Sequence, residues 1–509
     1  MRYLPAAGAL SSATPPRSVA VPLHPTMEVA FVRRRIPLVL TAAALLVPAA
    51  TADASSSQTT TVEAPNELLE GNPSWALDQV ASLGADGIRI QLVWESVAPS
   101  PNARRAPRFN ATDPAAYPAS GWARYDAAIE GARARGLKVH VTITGRAPAW
   151  ATPSKRDGLT KPDPVAFGKF ATAVGRRYGK QVEMWSIWNE PNLGKLLKPL
   201  YQGRTLASAQ VYRNLYLKAY SGLRSAGVRK PVLLGEFAPQ SNRNRTVGTI
   251  APLRFLRAML CLDDRYKPVK VDGRRCAKVV TQGVATHPYS TILGPFYTPL
   301  IDRDNVTITV LSRMTSALDK AAKAGAVNGR LPLHLTEFGV QSEPDTFYGV
   351  PYDVQSDYRS ISERIAYLNP RVKSFSQYLL HDDEPRGDYS AFESGLFPHG
   401  SDQPKPAYFG FRLPLVAVPV RGSSGKVTLW GLVRPARGAG TVTLSYRDGR
   451  GAWTTLGTQR FDRRGYWTKK SVAAKAGREW RVAWRAPDGT AYEGSATKLW
   501  TRPWRELRG

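Results

Sequence analysis

Between residues 59 and 412, short apolar runs alternate with longer stretches whose apolar positions recur at helical spacing. The runs Gly87 to Trp94, Leu137 to Thr144, Pro231 to Glu236 and Leu331 to Thr336 are short and rich in apolar and β-branched residues, and read as strands. Between them, Ser74 to Leu83, Asp126 to Arg135, Ser208 to Ala226, Val306 to Ala324 and Val354 to Leu368 read as helices. In Pro164 to Tyr178, Phe167, Phe170, Ala171 and Val174 mark one helical face, and Gly227 stops the helix that precedes the fifth strand. Adding Met184 to Trp188, Val279 to Thr286, Arg371 to Leu380 and a first strand within Thr59 to Ala64 gives about eight βα units. Strands separated by helices in this rhythm pair in parallel, so the pattern predicts a closed (β/α)8 TIM barrel over residues 55–413.

From Pro414 the helical period disappears. Lys426 to Val433, Thr441 to Tyr446, Glu479 to Trp484 and Tyr492 to Lys498 read as short strands, with turn signals at Asp448-Gly449 and Asp488-Gly489. Residues 414–509 are therefore expected to form a small all-β, immunoglobulin-like sandwich. Seven of the 13 tryptophans lie in it, and alternation with arginine places Trp480 and Trp484 on the core side.

Residues 1–54 have a different character. Arg33-Arg34-Arg35 precede an apolar stretch from Ile36 to Val47, followed by Ala50-Thr51-Ala52 and Ala52-Asp53-Ala54. A basic region, a short apolar core and A-x-A-like sites make an export signal, with Met27 as its better start. The apolar core is short against the roughly twenty residues of a membrane span. The protein is thus expected to be secreted or surface-associated, with no transmembrane segment in the mature chain. In that compartment Cys261 and Cys276 are expected to pair, closing a loop worth about 3 kcal/mol.

The net charge of +30 changes this picture little. Arginine is spread along the chain, no helix carries a continuous basic stripe, and no nucleic-acid module is present, so specific nucleic-acid binding is not expected. An anionic wall polymer fits better, particularly at the sandwich, where 19 Lys and Arg face 6 Asp and Glu from residue 415 onward. The six histidines form no metal-ligating pair, and there is neither a Gly-x-Ser-x-Gly elbow nor a phosphate loop. Metal hydrolases, esterases and P-loop enzymes are disfavoured, and no cofactor or metal is called for.

The candidate chemistry sits at strand ends. Trp185-Ser186-Ile187-Trp188-Asn189-Glu190-Pro191-Asn192 is a buried strand that stops at a proline, leaving Glu190 where a barrel presents catalytic groups. Burial beside tryptophans raises a carboxyl's proton affinity, as a general acid requires. A second strand-end carboxylate, Glu337 in Leu333-His334-Leu335-Thr336-Glu337-Phe338-Gly339, lies three strands further round. Glycoside cleavage needs two such carboxyl groups flanking the bond.

In these motifs the chain resembles clan A of the glycoside hydrolases, the cellulase-like (β/α)8 glycosidases. The resemblance covers residues 60–412. It implies that Asn189 binds the sugar 2-hydroxyl, that Glu190 is the acid/base and that Glu337 is the nucleophile of a retaining, double-displacement hydrolysis of a poly- or oligosaccharide. It also implies that Tyr289 of His287-Pro288-Tyr289 orients the nucleophile and that Arg89 keeps it ionised. Glu236, closing the fifth strand, is a rival carboxylate. Trp94, Trp150 and Trp188 are candidates either to stack on sugar rings or to pack the barrel. The clan's tryptophan at the end of the eighth strand is missing from Phe375-Ser376-Gln377-Tyr378-Leu379-Leu380-His381, so Tyr378 or His381 is expected in its place. The sugar and linkage would then depend on loops, notably the cysteine insertion and Asp382 to Tyr408. Two alternatives use the same residues: an inactive glycan- or wall-binding protein, and a transglycosylase.

Overall fold

The computed structural model describes residues 58–507, apart from residues 243, 388–390 and 424. The export segment lies outside the described residues. Among them, no helix is long and apolar enough to cross a membrane.

Eight parallel strands form the barrel: β1 Thr61–Glu63, β2 Gly87–Val93, β3 Lys138–Thr144, β4 Met184–Ile187, β5 Val232–Phe237, β6 Gly283–Thr286, β7 Leu333–Leu335 and β8. The last is made of two pieces. Val372–Phe375 pairs with β7, and Gln377–Tyr378 pairs with β1, so Tyr378 sits opposite Glu63 and the ring closes. Register is continuous from β2 to β3, where Arg89 lies opposite His140.

Local chemistry explains the helices that clasp these strands. Asp163 caps Pro164–Tyr178 by accepting from the backbone N–H groups of Val165 and Ala166, and Pro164 occupies the first turn, where its missing N–H costs nothing. That helix buries Phe167, Phe170, Ala171 and Val174, the face its sequence predicts. Burying each phenylalanine contributes about 1.5–3 kcal/mol. The helix after β2 is longer than its apolar spacing indicates, Ala119–Ala134, with Trp122 and Tyr125 extending the buried face by a turn. The stretch expected as a strand from Val279 enters the sheet only at Gly283.

Cys261 and Cys276 form a disulfide. Their insertion follows the helix Pro252–Met259 and leads into β6, so it belongs to an α-to-β connection. Such connections lie at the barrel end opposite the strand C-termini. This corrects the expectation that the insertion shapes the substrate mouth.

The antiparallel part begins at Leu415. One sheet joins β9 (Leu415–Pro419), β10 (Lys426–Leu432) and β13 (Tyr466–Ala473). The other joins β12 (Thr454–Phe461), β11 (Gly440–Asp448), β14 (Arg478–Arg485) and β15 (Ala491–Glu493), with β16 (Thr497–Lys498) also on β14. The strands Leu415–Pro419, Thr454–Phe461 and Tyr466–Ala473 are not evident from sequence pattern. Thr454–Phe461 is an edge strand, mostly exposed or half-buried, so it carries little apolar alternation. Between the sheets, Val427, Leu429, Val442, Leu444, Trp467, Trp480, Val482 and Trp484 form a second core.

The sandwich lies along the helix Tyr352–Tyr367. Arg434 donates to the Glu363 carboxylate at 2.5 Å and to the carbonyl of Phe411 at 2.8 Å, while Arg359 holds the other Glu363 oxygen at 2.7 Å. Trp500 donates to Asp357 at 2.7 Å and packs on Tyr358. Gly84 has φ +74°, and a Cβ there would meet the Arg434–Pro435 backbone at 2.6 Å, so only glycine allows this approach.

Candidate active site

The strand C-termini converge on one end of the barrel, and the sequence-predicted residues meet there. Trp188 and Glu190 have φ of 64° and 44°, in the left-handed region that non-glycine residues rarely adopt. In a regular strand Asn189 and Glu190 would point to opposite faces. The two left-handed residues break that alternation, so Asn189 reaches Arg89 while Glu190 reaches His287. The Glu190 backbone N–H is held by the carbonyl of Glu236 at 2.9 Å. Strain of this kind, roughly 1–3 kcal/mol per residue, concentrates at functional sites.

Arg89 is the hub. Its side chain is completely buried, with Nη1 donating to Glu337 at 2.8 Å and also to Glu63. Nη2 donates to Asn189 at 3.0 Å and to Glu236 at 2.5 Å, and Nε donates to Glu236 at 3.1 Å and to Thr142 at 3.2 Å. Burial alone would weaken the guanidinium's hold on its proton, but Glu236, Glu63 and Glu337 more than reverse that, so Arg89 is a fixed cation.

Glu337 also accepts from the Tyr289 hydroxyl at 3.2 Å. Nδ1 of His287 lies 2.9 Å from Glu190 and 3.3 Å from Glu337. One carboxylate oxygen of each glutamate and a His287 ring nitrogen all lie within 4.8 Å of one another. Burial pushes the Glu337 carboxyl up, yet His287 and Arg89 together hold it below the usual carboxylate range. Burial pulls His287 down, and the two glutamates outweigh it, so its proton affinity is raised.

Among the described residues these three side chains are the donors close enough together to ligate a metal ion. A ligating imidazole must give up its proton, which the raised affinity of His287 opposes.

Glu236 does not line the site as a rival to the pair. Both its oxygens are taken up by Arg89, and Thr142 donates to one of them at 2.9 Å. It forms a buried floor beneath the site.

The two candidates on the eighth strand separate. Tyr378 is buried against Tyr289 and Phe392, beside the pair. His381 turns away, 2.7 Å from Glu67 and stacked on Trp75. Trp94 and Trp150 are corrected from sugar contacts to packing: Trp94 stacks on Phe170 and meets the edge of Trp150, and Trp188 packs on Phe167 in the same layer. Trp94 and Trp188 are each 1% exposed and Trp150 7%, which leaves no open ring face for a sugar. In the sandwich Trp480 and Trp484 are buried, as their alternation predicts, and Trp453 is flanked by the guanidinium groups of Arg447 and Arg481.

Three participants escape sequence reasoning: Glu63, Gln91 and Thr142. Gln91 donates to Glu63 at 3.0 Å and reaches Glu337 at 3.5 Å. Glu63 closes β1, the strand of weakest pattern, and only the position of a carboxylate at a strand end could have marked it.

Comparison with solved structures finds a family 39 glycoside hydrolase from the gut symbiont Bacteroides cellulosilyticus WH2, with a TM-score of 0.50 and 16% identity, covering 83% of this chain and 80% of that one. The two share a fold. A glucosidase from Croceicoccus marinus aligns with a TM-score of 0.49 and 12% identity, over 84% of this chain and 94% of that one. The beta-glycosidase from the hyperthermophile Thermosphaera aggregans aligns with a TM-score of 0.46 and 14% identity, over 70% and 96% of the respective chains. No family model and no curated protein matches the sequence.

Proposed function

We propose that the protein is a retaining glycoside hydrolase in which Glu337 attacks the anomeric carbon and Glu190 protonates the departing oxygen. The observation that carries this reading is the approach of one oxygen of each carboxylate to within 4.8 Å of the other, with His287 in contact with both. Retaining glycosidases hold their carboxyl groups about 5–5.5 Å apart, whereas inverting ones leave about 6.5–9.5 Å for a water. The lowered proton affinity of Glu337 suits a nucleophile that must be ionised, and the barrel supplies the strand ends that bring the pair together. After the first displacement, Glu190 would take a proton from water as that water attacks the glycosyl-enzyme, which frees Glu337. Asn189, held by Arg89, would meet the sugar 2-hydroxyl.

Aryl β-glycosides screened beside a polysaccharide panel test the reading. Glu190→Ala is expected to slow substrates with poor leaving groups about 10²–10⁴-fold while sparing activated aryl glycosides in the first step. Added azide, which needs no general base, should restore turnover of the activated ones. Equal loss on good and poor leaving groups would remove Glu190 from the acid role. Longer products at high substrate concentration would favour transglycosylation, and sugar binding with no turnover on the whole panel would favour the inactive glycan-binding reading.

We further propose export and an affinity of the basic sandwich for anionic wall polymer. The signal pattern, the disulfide and the excess of Lys and Arg after residue 415 support both. Protein collected outside the cell should begin just after Ala52 or Ala54. It should sediment with an anionic polysaccharide at low salt and release as salt screens the charges. An uncut N-terminus, or retention that salt leaves unchanged, would refute the respective half.

A further inference from the structure

Three carboxylates surround one guanidinium in the site, and the mechanism uses only one of them. Glu236 takes the Nε side of Arg89 and is anchored by Thr142. The Nη1 nitrogen is shared by Glu63 and Glu337. The amide of Gln91 bridges the same two carboxylates from the other side. Glu63 is thus linked to Glu337 twice, through a charge and through a neutral donor. Both its oxygens are engaged within the protein, Oε2 by Arg89 and Oε1 by Gln91.

We propose that Glu63 is a positioning residue for Glu337: by taking one of the two N–H bonds of Arg89 Nη1 and part of its charge, it sets how firmly that nitrogen holds the nucleophile. The proposal rests on the reading of Glu337 as the nucleophile.

The charges around Glu63 explain why this sharing is adjustable. Arg89 faces it from β2, Glu337 from beyond β7 and Glu236 from β5, while the Tyr378 and Tyr289 hydroxyls lie on the β8 and β6 sides. Arg89 is the cation that Glu63, Glu236 and Glu337 all contact. Burial pushes Glu63 up to about 7, against the opposing pull of Arg89. Below that pH Glu63 is neutral and the charge at Nη1 serves Glu337 alone; above it, two anions share that charge, each on one of the two N–H bonds of that nitrogen.

Carbon-13 NMR of carboxyl-labelled glutamates in the whole protein tests this without relying on turnover. Among the glutamate resonances that titrate near pH 7 in the wild type, which should include Glu393, one should be missing from Glu63→Gln. The resonance missing from Glu337→Gln should carry a step at the same pH, and Glu63→Gln should abolish that step. A Glu337 resonance with no such step, or no resonance near pH 7 lost from Glu63→Gln, would overturn the proposal.

Kinetics add a second reading. Glu63→Ala should lower kcat about 10- to 100-fold with KM changed less than about threefold, because a misplaced nucleophile slows chemistry more than binding. Glu63→Gln, which keeps the shape and the acceptor oxygen, should recover most of that loss below about pH 7, where Glu63 is itself neutral. Equal losses for both variants, or a loss confined to KM, would also overturn it. Should Glu63→Gln not fold, Gln91→Met removes the donor that favours the Glu63 anion, and both NMR steps should move to higher pH; unmoved steps count against the proposal. If wild-type protein turns over no glycoside on the panel, the hydrolase reading falls while the NMR result still decides whether Glu63 governs Glu337.

Discussion

Glu337→Gln is expected to reduce turnover at least about 10⁴-fold while leaving sugar affinity within a few-fold of wild type. The reason is geometric. Glu337 accepts from Arg89 and Tyr289 and approaches His287, so three groups aim and hold one carboxylate; the amide that replaces it keeps the shape but cannot form an ester with the anomeric carbon. A slowly turned-over 2-fluoro glycoside should leave the wild type modified on the peptide containing Glu337 and leave the variant unmodified. Modification of Glu236 instead would overturn the assignment and revive the rival on the fifth strand. Because Arg89 and His287 hold Glu337 below the usual carboxylate range, the acid limb of kcat/KM should also fall below that range. A substitution that weakens either cation should move the limb upward.

Arg89→Met carries the largest expected cost in stability. It removes the one guanidinium that Glu63, Glu236 and Glu337 all contact, in a place where Arg89 and Glu236 side chains are wholly buried. Removing one partner of a buried ion pair typically costs about 3–5 kcal/mol, because the other charge stays behind without its partner. The sign of the pH dependence can be stated in advance. In the wild type the folded Glu337 has a lowered proton affinity, so its stabilisation is present above the unfolded carboxylate value and is lost as pH falls through the folded one. Without Arg89 the buried carboxylates bind protons more tightly in the folded than in the unfolded state. The variant should then lose stability as pH rises, with a deficit larger at pH 8 than at pH 5. Urea unfolding at the two pH values measures this, and a deficit equal at both would show that Arg89 stabilises by packing instead of by charge.

The site's partial legibility follows from how each residue makes its contacts. Glu190 and Glu337 could be found because each interrupts an apolar strand run with a carboxylate, a local signature. Tyr289 and Arg89 required the resemblance to a known clan, since neither stands out by period or composition. The choice between Tyr378 and His381 could not be made from sequence because both follow the same short strand. It depended on Glu67 and Trp75, far away in the chain, which draw His381 outward. On sequence alone Trp94 and Trp150 are open between two roles. A tryptophan near a strand end suits a sugar platform or a core equally well, and only tertiary contacts decide for the core: Phe167 and Phe170 for Trp94, Trp94 and Phe109 for Trp150.

By itself the sequence determined the alternation of buried strands and amphipathic helices, the change to antiparallel strands near residue 414, and the two strand-end glutamates. These follow from periods of about 2 and 3.6 residues and from breaker residues, which act within a few positions of the chain. The tertiary structure alone decided that Glu63 shares Arg89 with Glu337, that Glu236 is a floor and that the disulfide insertion lies away from the strand C-termini. Each of these depends on side chains that closure of the barrel brings together across long stretches of sequence. β1 is only three residues long, too short to show a period, yet its pairing with β8 completes the ring and carries Glu63 to Arg89 and Glu337.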